Sequence, residues 1–320
     1  MNKKLIGALL VLITLGALGG YYYVKQPVGT IKKELKPLKV AYTEDGFTGK
    51  VIEFADEKGF FTDNGLRIEK IPSAKSTSTL LTSGQADVTF NMMTPALTVY
   101  LNDLDIVWVA KDREYPTEFD LVSRYSKDDA NKIKNVAVDR LGGTQNLISE
   151  LVTPVDDKSK LNYVLSPNEA GKLAMLENGS ADMALINNLG DAGDIYSANS
   201  YTIFDQSETF SKTKMPGGIF TTKKMISDKN TELKDLIKAY ETALDYVVKN
   251  QSEFKDYIVK KDELKESLVQ VLLDKFIISL ADDRKPVKSD VEGVLDVVAK
   301  VSNPKNPSRS LDDFIDASLF

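Results

Sequence analysis

Short apolar runs alternate with amphipathic stretches through the first two thirds of the chain. Seven of these runs predict strands, at residues 38–42, 66–71, 88–90, 106–110, 135–138, 161–165 and 183–185. Apolar residues at helical spacing lie between most successive pairs of runs. Alternation of strands and helices favours parallel sheets with right-handed crossovers, so we expect an α/β protein.

Two segments, residues 81–88 and 176–183, repeat one pattern. Both contain Leu, Gly, Ala and Asp in the same register. Each predicts the end of a helix, a left-handed turn at Gly84 or Gly179, and the start of a buried strand. The repeat therefore predicts two similar α/β lobes that present polar loops to each other.

The polypeptide is predicted to pass from one lobe to the other twice. We expect lobe one to comprise residues 38–124 and 218–320, and lobe two to comprise residues 125–217. Residues 217–222 predict the strand that returns to the first lobe. The last third of the chain is predicted to be helical, and the crossovers near residues 124 and 221 are predicted to form a hinge.

The N-terminus predicts export to the periplasm or the cell surface. Two lysines precede an uncharged run over residues 5–24, which is long enough to span a bilayer and also resembles a secretory signal. Small residues ending at Gly19 favour cleavage, whereas the tyrosines at 21–23 favour a retained anchor. Residues 1–24 are thus predicted to be a signal peptide or a membrane anchor, and residues 25–37 a linker.

Composition narrows the chemistry that is available. The 320 residues include no Cys and no His, which excludes thiol nucleophiles, imidazole catalysis and Cys or His metal sites. The net charge of −6 argues against nucleic-acid binding, and no basic stripe stands out in the sequence. Carboxylate metal sites and Lys or Tyr chemistry remain open. We expect no cofactor and no nucleic-acid partner.

One longer segment resembles a known family. Residues 51–61, Val-Ile-Glu-Phe-Ala-Asp-Glu-Lys-Gly-Phe-Phe, are similar to the NMT1/THI5-like substrate-binding proteins for sulfonates, nitrate, taurine and thiamine precursors. Residues 83–88, 94–95 and 142–144 also resemble landmarks of that family. The resemblance implies a two-lobed periplasmic-binding-protein fold of type II with mainly parallel sheets. It further implies that the lobes close on a small molecule and deliver it to an ABC permease with its ATPase.

Candidate ligand contacts follow the predicted strands, because open α/β sheets bind ligands at the carboxyl ends of strands. Gly143, Thr144 and Gln145 begin a predicted helix, whose N-terminus favours an anion. The alternative is a tight turn in which Thr144 caps the helix.

Three asparagines and two cations are further candidates. The amides of Asn91, Asn187 and Asn188 are suited to orient a polar ligand, or alternatively to cap the following segments. Lys111 and Arg113 are predicted to follow the fourth strand, where they pair with an anionic ligand or lie in a solvated loop beside neighbouring carboxylates.

The remaining candidates are neutral. Phe47 is predicted to stack on a planar ligand. Met93 is predicted to line the pocket wall, or alternatively to fill the core beneath it. Hydroxyls that hydrogen-bond the ligand are predicted at Thr48, Ser76 and Thr94.

Three classes of function are compatible with these features. The prediction is a solute-binding protein of an ABC importer that captures a small polar organic molecule or anion and is not an enzyme. The alternatives are an enzyme on the same fold and a membrane-tethered ligand sensor. We favour the binding protein because no recognisable pairing of a nucleophile with a base is found in the sequence.

Overall fold

The computed structural model describes residues 34–43, 46–73, 77–114, 119–166, 168–187, 201–204 and 214–320. The predicted signal or anchor at residues 1–24 and most of the linker at 25–37 lie outside this part of the chain. Among the residues described, no helix combines the length and the apolar character needed to cross a membrane.

The described residues form ten strands and a larger number of helices. The strands are β1 (Lys36–Thr43), β2 (Leu66–Ser73), β3 (Val88–Met92), β4 (Val107–Arg113), β5 (Phe119–Ser123), β6 (Asn135–Val138), β7 (Asn162–Leu165), β8 (Met183–Asn187), β9 (Thr202–Phe204) and β10 (Gly217–Thr221). The α-helices are α1 (Phe47–Glu57), α2 (Phe60–Asp63), α3 (Thr77–Thr82), α4 (Met93–Leu101), α5 (Thr144–Val152), α6 (Glu169–Asn178), α7 (Lys223–Asp228), α8 (Asn230–Lys249), α9 (Gln251–Asp262), α10 (Glu266–Ser279) and α11 (Ser289–Ser302). Short 3-10 helices lie at Lys127–Lys132, Lys158–Lys160 and Leu311–Asp313.

The strands form two sheets with the same topology. Their orders are β2-β1-β3-β10-β4 and β7-β6-β8-β5-β9. In each sheet the first three strands are parallel, and the fourth is antiparallel to both of its neighbours. The chain reaches that antiparallel strand directly from the other sheet. The predicted two-lobed α/β fold with mainly parallel sheets is confirmed, and β10 is the predicted returning strand.

Strand β5 belongs to the second sheet, where it pairs with β8 and β9. The predicted extension of lobe one to residue 124 placed this strand in the first sheet, and the observed pairing corrects that placement. An apolar strand is buried equally well in either sheet, so its hydrophobic pattern does not identify its partners. The first crossover therefore lies between Arg113 and Phe119, before β5 rather than after it.

The internal repeat folds as predicted. Gly84 and Gly179 follow the ends of α3 and α6 with φ angles of 73° and 80°, in the left-handed region that favours glycine. The strands then run further than the sequence indicated. Residues 91 and 92 belong to β3 rather than to a loop, and α4 begins at Met93 without an intervening loop.

Apolar side chains pack in three clusters. The first lies between the first sheet and helices that include α1, α8 and α10. The third lies between the second sheet and α6. The second contains residues from both sheets together with α4, α5 and α11, so the two lobes share it. This shared cluster fixes the positions of α4 and α5, which begin at the candidate site.

Candidate functional site

Three helices begin at the carboxyl ends of parallel strands, α1 after β1, α4 after β3 and α5 after β6. Their N-cap residues are Gly46, Met92 and Gly143, and none of them caps the first turn through its side chain. Helix α6, by contrast, is capped by Asn168, whose Oδ1 accepts a hydrogen bond from Gly171 N at 2.7 Å. A helix N-terminus has a partial positive charge and unsatisfied N–H donors. The three uncapped starts are therefore suited to a polar or anionic group.

The starts of α4 and α5 meet between the lobes. Thr94 Oγ1 lies 3.5 Å from Thr144 Oγ1, a long contact for two hydroxyls. Thr94 is fully buried, whereas Thr144 is partly exposed. The structure thus brings together two predicted site residues from different lobes. A ligand group placed between them would contact a hydroxyl of each lobe.

The turn before α5 contains two glycines. Gly142 has a φ angle of 70° and donates its N–H to Asn146 Oδ1 at 2.9 Å. A Cβ at Gly143 would lie 2.7 Å from Arg140 Cγ, so a side chain there would displace Arg140. Gly143 is the N-cap residue and Thr144 the first helical residue, so the alternative in which Thr144 caps the helix is wrong.

Gln145 lies on the inner side of this helix start. Its Oε1 accepts hydrogen bonds from Asp139 N at 3.1 Å and from Lys172 Nζ at 2.6 Å. Lys172 is fully buried and also donates to Glu169 Oε1 at 2.8 Å and to Leu185 O at 3.2 Å. Gln145 therefore connects α5 to α6 and β8. Sequence reasoning missed Lys172, because a lysine in the middle of a helix is ordinarily exposed.

Strand β4 ends in three buried charged residues, Lys111, Asp112 and Arg113. The predicted loop after Ala110 is wrong, because the strand continues to Arg113. The register with β10 shifts between Gly217 and Gly218, which leaves Asp112 without an opposite residue, as in a β-bulge. A Cβ at Gly217 would lie 3.1 Å from Arg113 Cγ and Nε, so glycine there leaves room for the arginine.

Arg113 reaches the start of α1. Its guanidinium donates to Thr48 Oγ1, which donates in turn to Asp112 Oδ2 at 3.1 Å. The hydroxyl of Tyr240 donates to the same carboxylate oxygen at 3.3 Å. Burial, and then the charge of Asp112, raises the pKa of Tyr240 well above its usual value, so the phenol remains a neutral donor. The predicted residues Thr48 and Arg113 thus form one buried cluster, with Asp112 balancing the positive charge.

Lys111 belongs to a separate cluster at the crossovers. Its Nζ lies 2.8 Å from Asp290 Oδ2 and 3.0 Å from Glu114 Oε1. Lys214 Nζ lies 2.9 Å from Glu114 Oε2. The alternative of a solvated loop is wrong for Lys111, because its ammonium is buried and paired with carboxylates. No local signal in the sequence indicated Asp290, which is 179 positions away.

Asn91 makes hydrogen bonds within its own lobe. Its Nδ2 donates to Ser78 Oγ at 2.9 Å, and its Oδ1 accepts from Met92 N at 2.8 Å. The second bond is to the next residue in the chain, so Asn91 does not cap α4, whose N-cap residue is Met92. The backbone of Asn187 pairs with Phe119 at the end of β8. Ser76 and Asn188 lie outside the described residues, as does the side chain of Asn187.

Two predicted contacts are core residues. Phe47 is buried, with ring centroids 6.3 Å from Phe254 and 5.3 Å from Phe276. Met93 is fully buried in the apolar cluster that the lobes share. Both residues begin a helix, and their side chains pack beneath the helix starts.

The site offers hydroxyls, helix N–H groups and a paired guanidinium. In the described part of the chain, no group of three Asp or Glu side chains has an arrangement that would hold a metal ion. The chemistry that these groups support is non-covalent binding of a small polar molecule.

Comparison with known families identifies the chain. The model of the family described as NMT1/THI5 like matches residues 50–254, more than half of the 320 residues. The chain belongs to the NMT1/THI5-like family. Comparison with curated protein sequences gives no significant match.

Solved structures share the fold over most of the chain. The periplasmic aliphatic sulphonate binding protein SsuA of Escherichia coli is 12% identical with a TM-score of 0.66, covering 84% of this chain and 91% of that one. The alkanesulfonate-binding protein SsuA of Xanthomonas axonopodis pv. citri bound to MOPS is 11% identical with a TM-score of 0.68, covering 89% and 99%. The zinc-bound ligand-binding component of an ABC-type import system from Staphylococcus aureus is 11% identical with a TM-score of 0.65, covering 89% and 97%. At these identities the likeness concerns the fold alone.

Proposed function

We propose that this chain is the exported solute-binding protein of an ABC importer. It captures a small polar organic molecule or anion, of the sulfonate, nitrate or thiamine-precursor kind, and binds it without converting it. The observation that carries the proposal is the contact between Thr94 and Thr144, because it joins the uncapped helix starts of both lobes. Family membership supports a substrate-binding role, and the sulfonate binders among the structural relatives make sulfonates the first ligands to test.

The available groups are sufficient for a useful affinity. A dissociation constant of 1 μM corresponds to about −8 kcal/mol. Hydrogen bonds to a charged group contribute about 1.5–3 kcal/mol each, so a few hydroxyl and helix N–H donors provide this value. Because Asp112 already balances Arg113, the ligand's charge is met chiefly by neutral donors and helix dipoles.

Ligand binding is coupled to movement of the lobes. We propose one lobe of residues 36–114 and 214–320 and another of residues 119–204, which close on the ligand and are then recognised by the permease. The proposed contacts are Thr48, Ser76, Asn91, Thr94, Arg113, Gly143, Thr144, Asn187 and Asn188. Closure requires that the ligand bind the closed form more tightly than the open form.

Removing the two hydroxyls tests the proposed site. A thermal-shift screen of sulfonates, nitrate and thiamine precursors identifies a stabilising ligand, and calorimetry then gives its affinity for the full-length chain. Thr94→Val and Thr144→Val should each weaken binding about ten-fold or more, because each removes a hydrogen bond to the ligand while keeping the side-chain shape. Mass spectrometry of the recovered ligand should show the unchanged compound.

Thr98→Val is the matched control, because Thr98 lies one turn later on α4 and donates to Thr94 O at 2.9 Å. Its affinity should stay within about twofold of the parent chain. The proposal fails if no compound of these classes stabilises the protein, or if both site variants bind as tightly as the control.

A further inference from the structure

Helix α11 packs against one helix of each lobe, α4 and α5. Its buried residues Val291, Val294 and Val298 are spaced by three and four positions and so lie on one face. They belong to the apolar cluster that also contains Leu97 of α4 and Ile148 of α5. The lobes are therefore joined by an apolar seam in addition to their two crossovers.

The two ends of α11 are tied to different lobes. At its start, Asp290 Oδ2 accepts a hydrogen bond from Lys111 Nζ of β4 at 2.8 Å. In its last turn, Lys300 Nζ donates to Glu150 Oε1 of α5 at 2.5 Å. A helix of 14 residues is about 21 Å long, so α11 connects these two points as a rigid element.

The end of α11 also contacts the turn that precedes α5. A Cβ at Gly142 would lie 3.6 Å from Ser302 Cα, which shows how closely the two backbones approach. Separating α4 from α5 would pull α11 away from one of them and expose apolar surface to water, which is unfavourable in proportion to the area exposed. All of these contacts are made by protein groups, so without a ligand they stabilise the arrangement in which the starts of α4 and α5 meet, which we call closed.

We propose that α11 is an inter-lobe strap that keeps the ligand-free protein mostly closed, and that the ion pair between Lys300 and Glu150 sets part of this balance. The inference rests on the proposed function only in taking lobe closure as the movement that accompanies binding. Because the closed form binds the ligand more tightly, the apparent dissociation constant rises as the fraction of closed molecules falls. Glu150 and Lys300 therefore influence affinity without touching the ligand.

The absence of cysteine from the sequence allows site-specific labelling for a direct test. Glu177→Cys on α6 and Lys224→Cys on α7 place a spin label on an exposed helical position of each lobe. Distances between the two labels are measured in the full-length chain without ligand. We expect one dominant distance, equal to that of the closed structure.

Lys300→Glu places a second carboxylate beside Glu150. We expect it to raise the ratio of open to closed molecules about five-fold, because an attractive pair becomes a repulsive one. Adding Glu150→Gln to this variant should return the ratio most of the way to the parent value. The matched control is Lys305→Glu, which makes the same charge change at an exposed position beyond the helix and should leave the ratio unchanged.

Two results would overturn the proposal that α11 is an inter-lobe strap. One is a dominant long distance in the parent chain without ligand, and the other is an equal ratio of open to closed molecules in Lys300→Glu and Lys305→Glu. Because the distance measurement uses no ligand, a result against the inter-lobe strap leaves the proposed function intact. A ligand screen that fails, conversely, leaves the distance measurement unaffected.

Discussion

Asp87 and Asp182 occupy equivalent positions in the internal repeat and make equivalent hydrogen bonds. Asp87 Oδ2 accepts from Lys39 N at 2.9 Å, and Asp182 Oδ2 accepts from Lys134 N and Asn135 N at 3.0 Å. Each carboxylate thereby joins the start of one parallel strand to a neighbouring strand. Folding explains why aspartate recurs at this position of the repeat, because neither aspartate lies at the carboxyl ends of the strands where the candidate site is found.

Replacing Asp182 should destabilise the second lobe. Asp182→Ala leaves two backbone N–H groups without their acceptor, which should cost about 1–3 kcal/mol of the free energy of unfolding. Urea denaturation measures this loss. Asp282→Ala is the control, because Asp282 is exposed and its replacement should change stability by less than about 0.5 kcal/mol. Equal stability of the two variants would show that the carboxylate is not needed.

At the scale of elements, apolar patterns predicted most strands, but the charged residues at the end of β4 were misleading. Lys111, Asp112 and Arg113 are typical of a loop, and the sequence therefore placed the strand end at Ala110. The strand continues because each charge has a buried partner, of which Asp290 comes from a distant helix. Such partners are determined by tertiary packing, so no local pattern indicates them.

Replacing Lys111 should destabilise the protein, because Asp290 then loses its nearest cationic partner. Among the described residues, Lys111→Met leaves the buried carboxylate of Asp290 with the more distant Lys214 at 3.5 Å as its cationic partner. The change should cost about 3 kcal/mol of stability. Adding Asp290→Asn should recover part of the loss, because the unpaired charge is then removed. Chemical denaturation gives both values. Lys132→Met removes an exposed ion pair and is the control, which should change stability little. An equally small loss of stability in Lys111→Met would show that the buried ion pair is not important for folding.

At the scale of the molecule, the sequence predicted the two lobes, the returning strand and the family. It also identified Thr94 and Thr144 as candidate contacts, although their meeting depends on how the lobes pack. Helix α11 was included only in a general helical prediction for the last third of the chain. Its role between the lobes was not predictable, because an apolar helical face does not specify which elements it packs against.

The strap should weaken in acid, because Glu150 must be ionised to pair with Lys300. Burial acts to raise the pKa of Glu150, but the hydrogen bonds from Lys300 and Tyr163 and the charges of Lys300 and Lys158 outweigh it and lower the pKa below the usual 4.5. A carboxyl group with a lowered pKa stabilises the closed form above its ordinary pKa, and that stabilisation is lost as the pH falls through the lowered value.

We therefore expect the closed fraction of the ligand-free protein to stay constant from about pH 8 to about pH 5 and to fall below about pH 4. Other carboxylates are protonated in the same range, so Glu150→Gln is needed as the reference. This variant lacks the charged pair at every pH, and its difference from the parent chain should shrink as the pH falls. Distances between the labels at Glu177→Cys and Lys224→Cys provide the measurement. A difference that persists undiminished in acid would show that the ion pair does not contribute to closure.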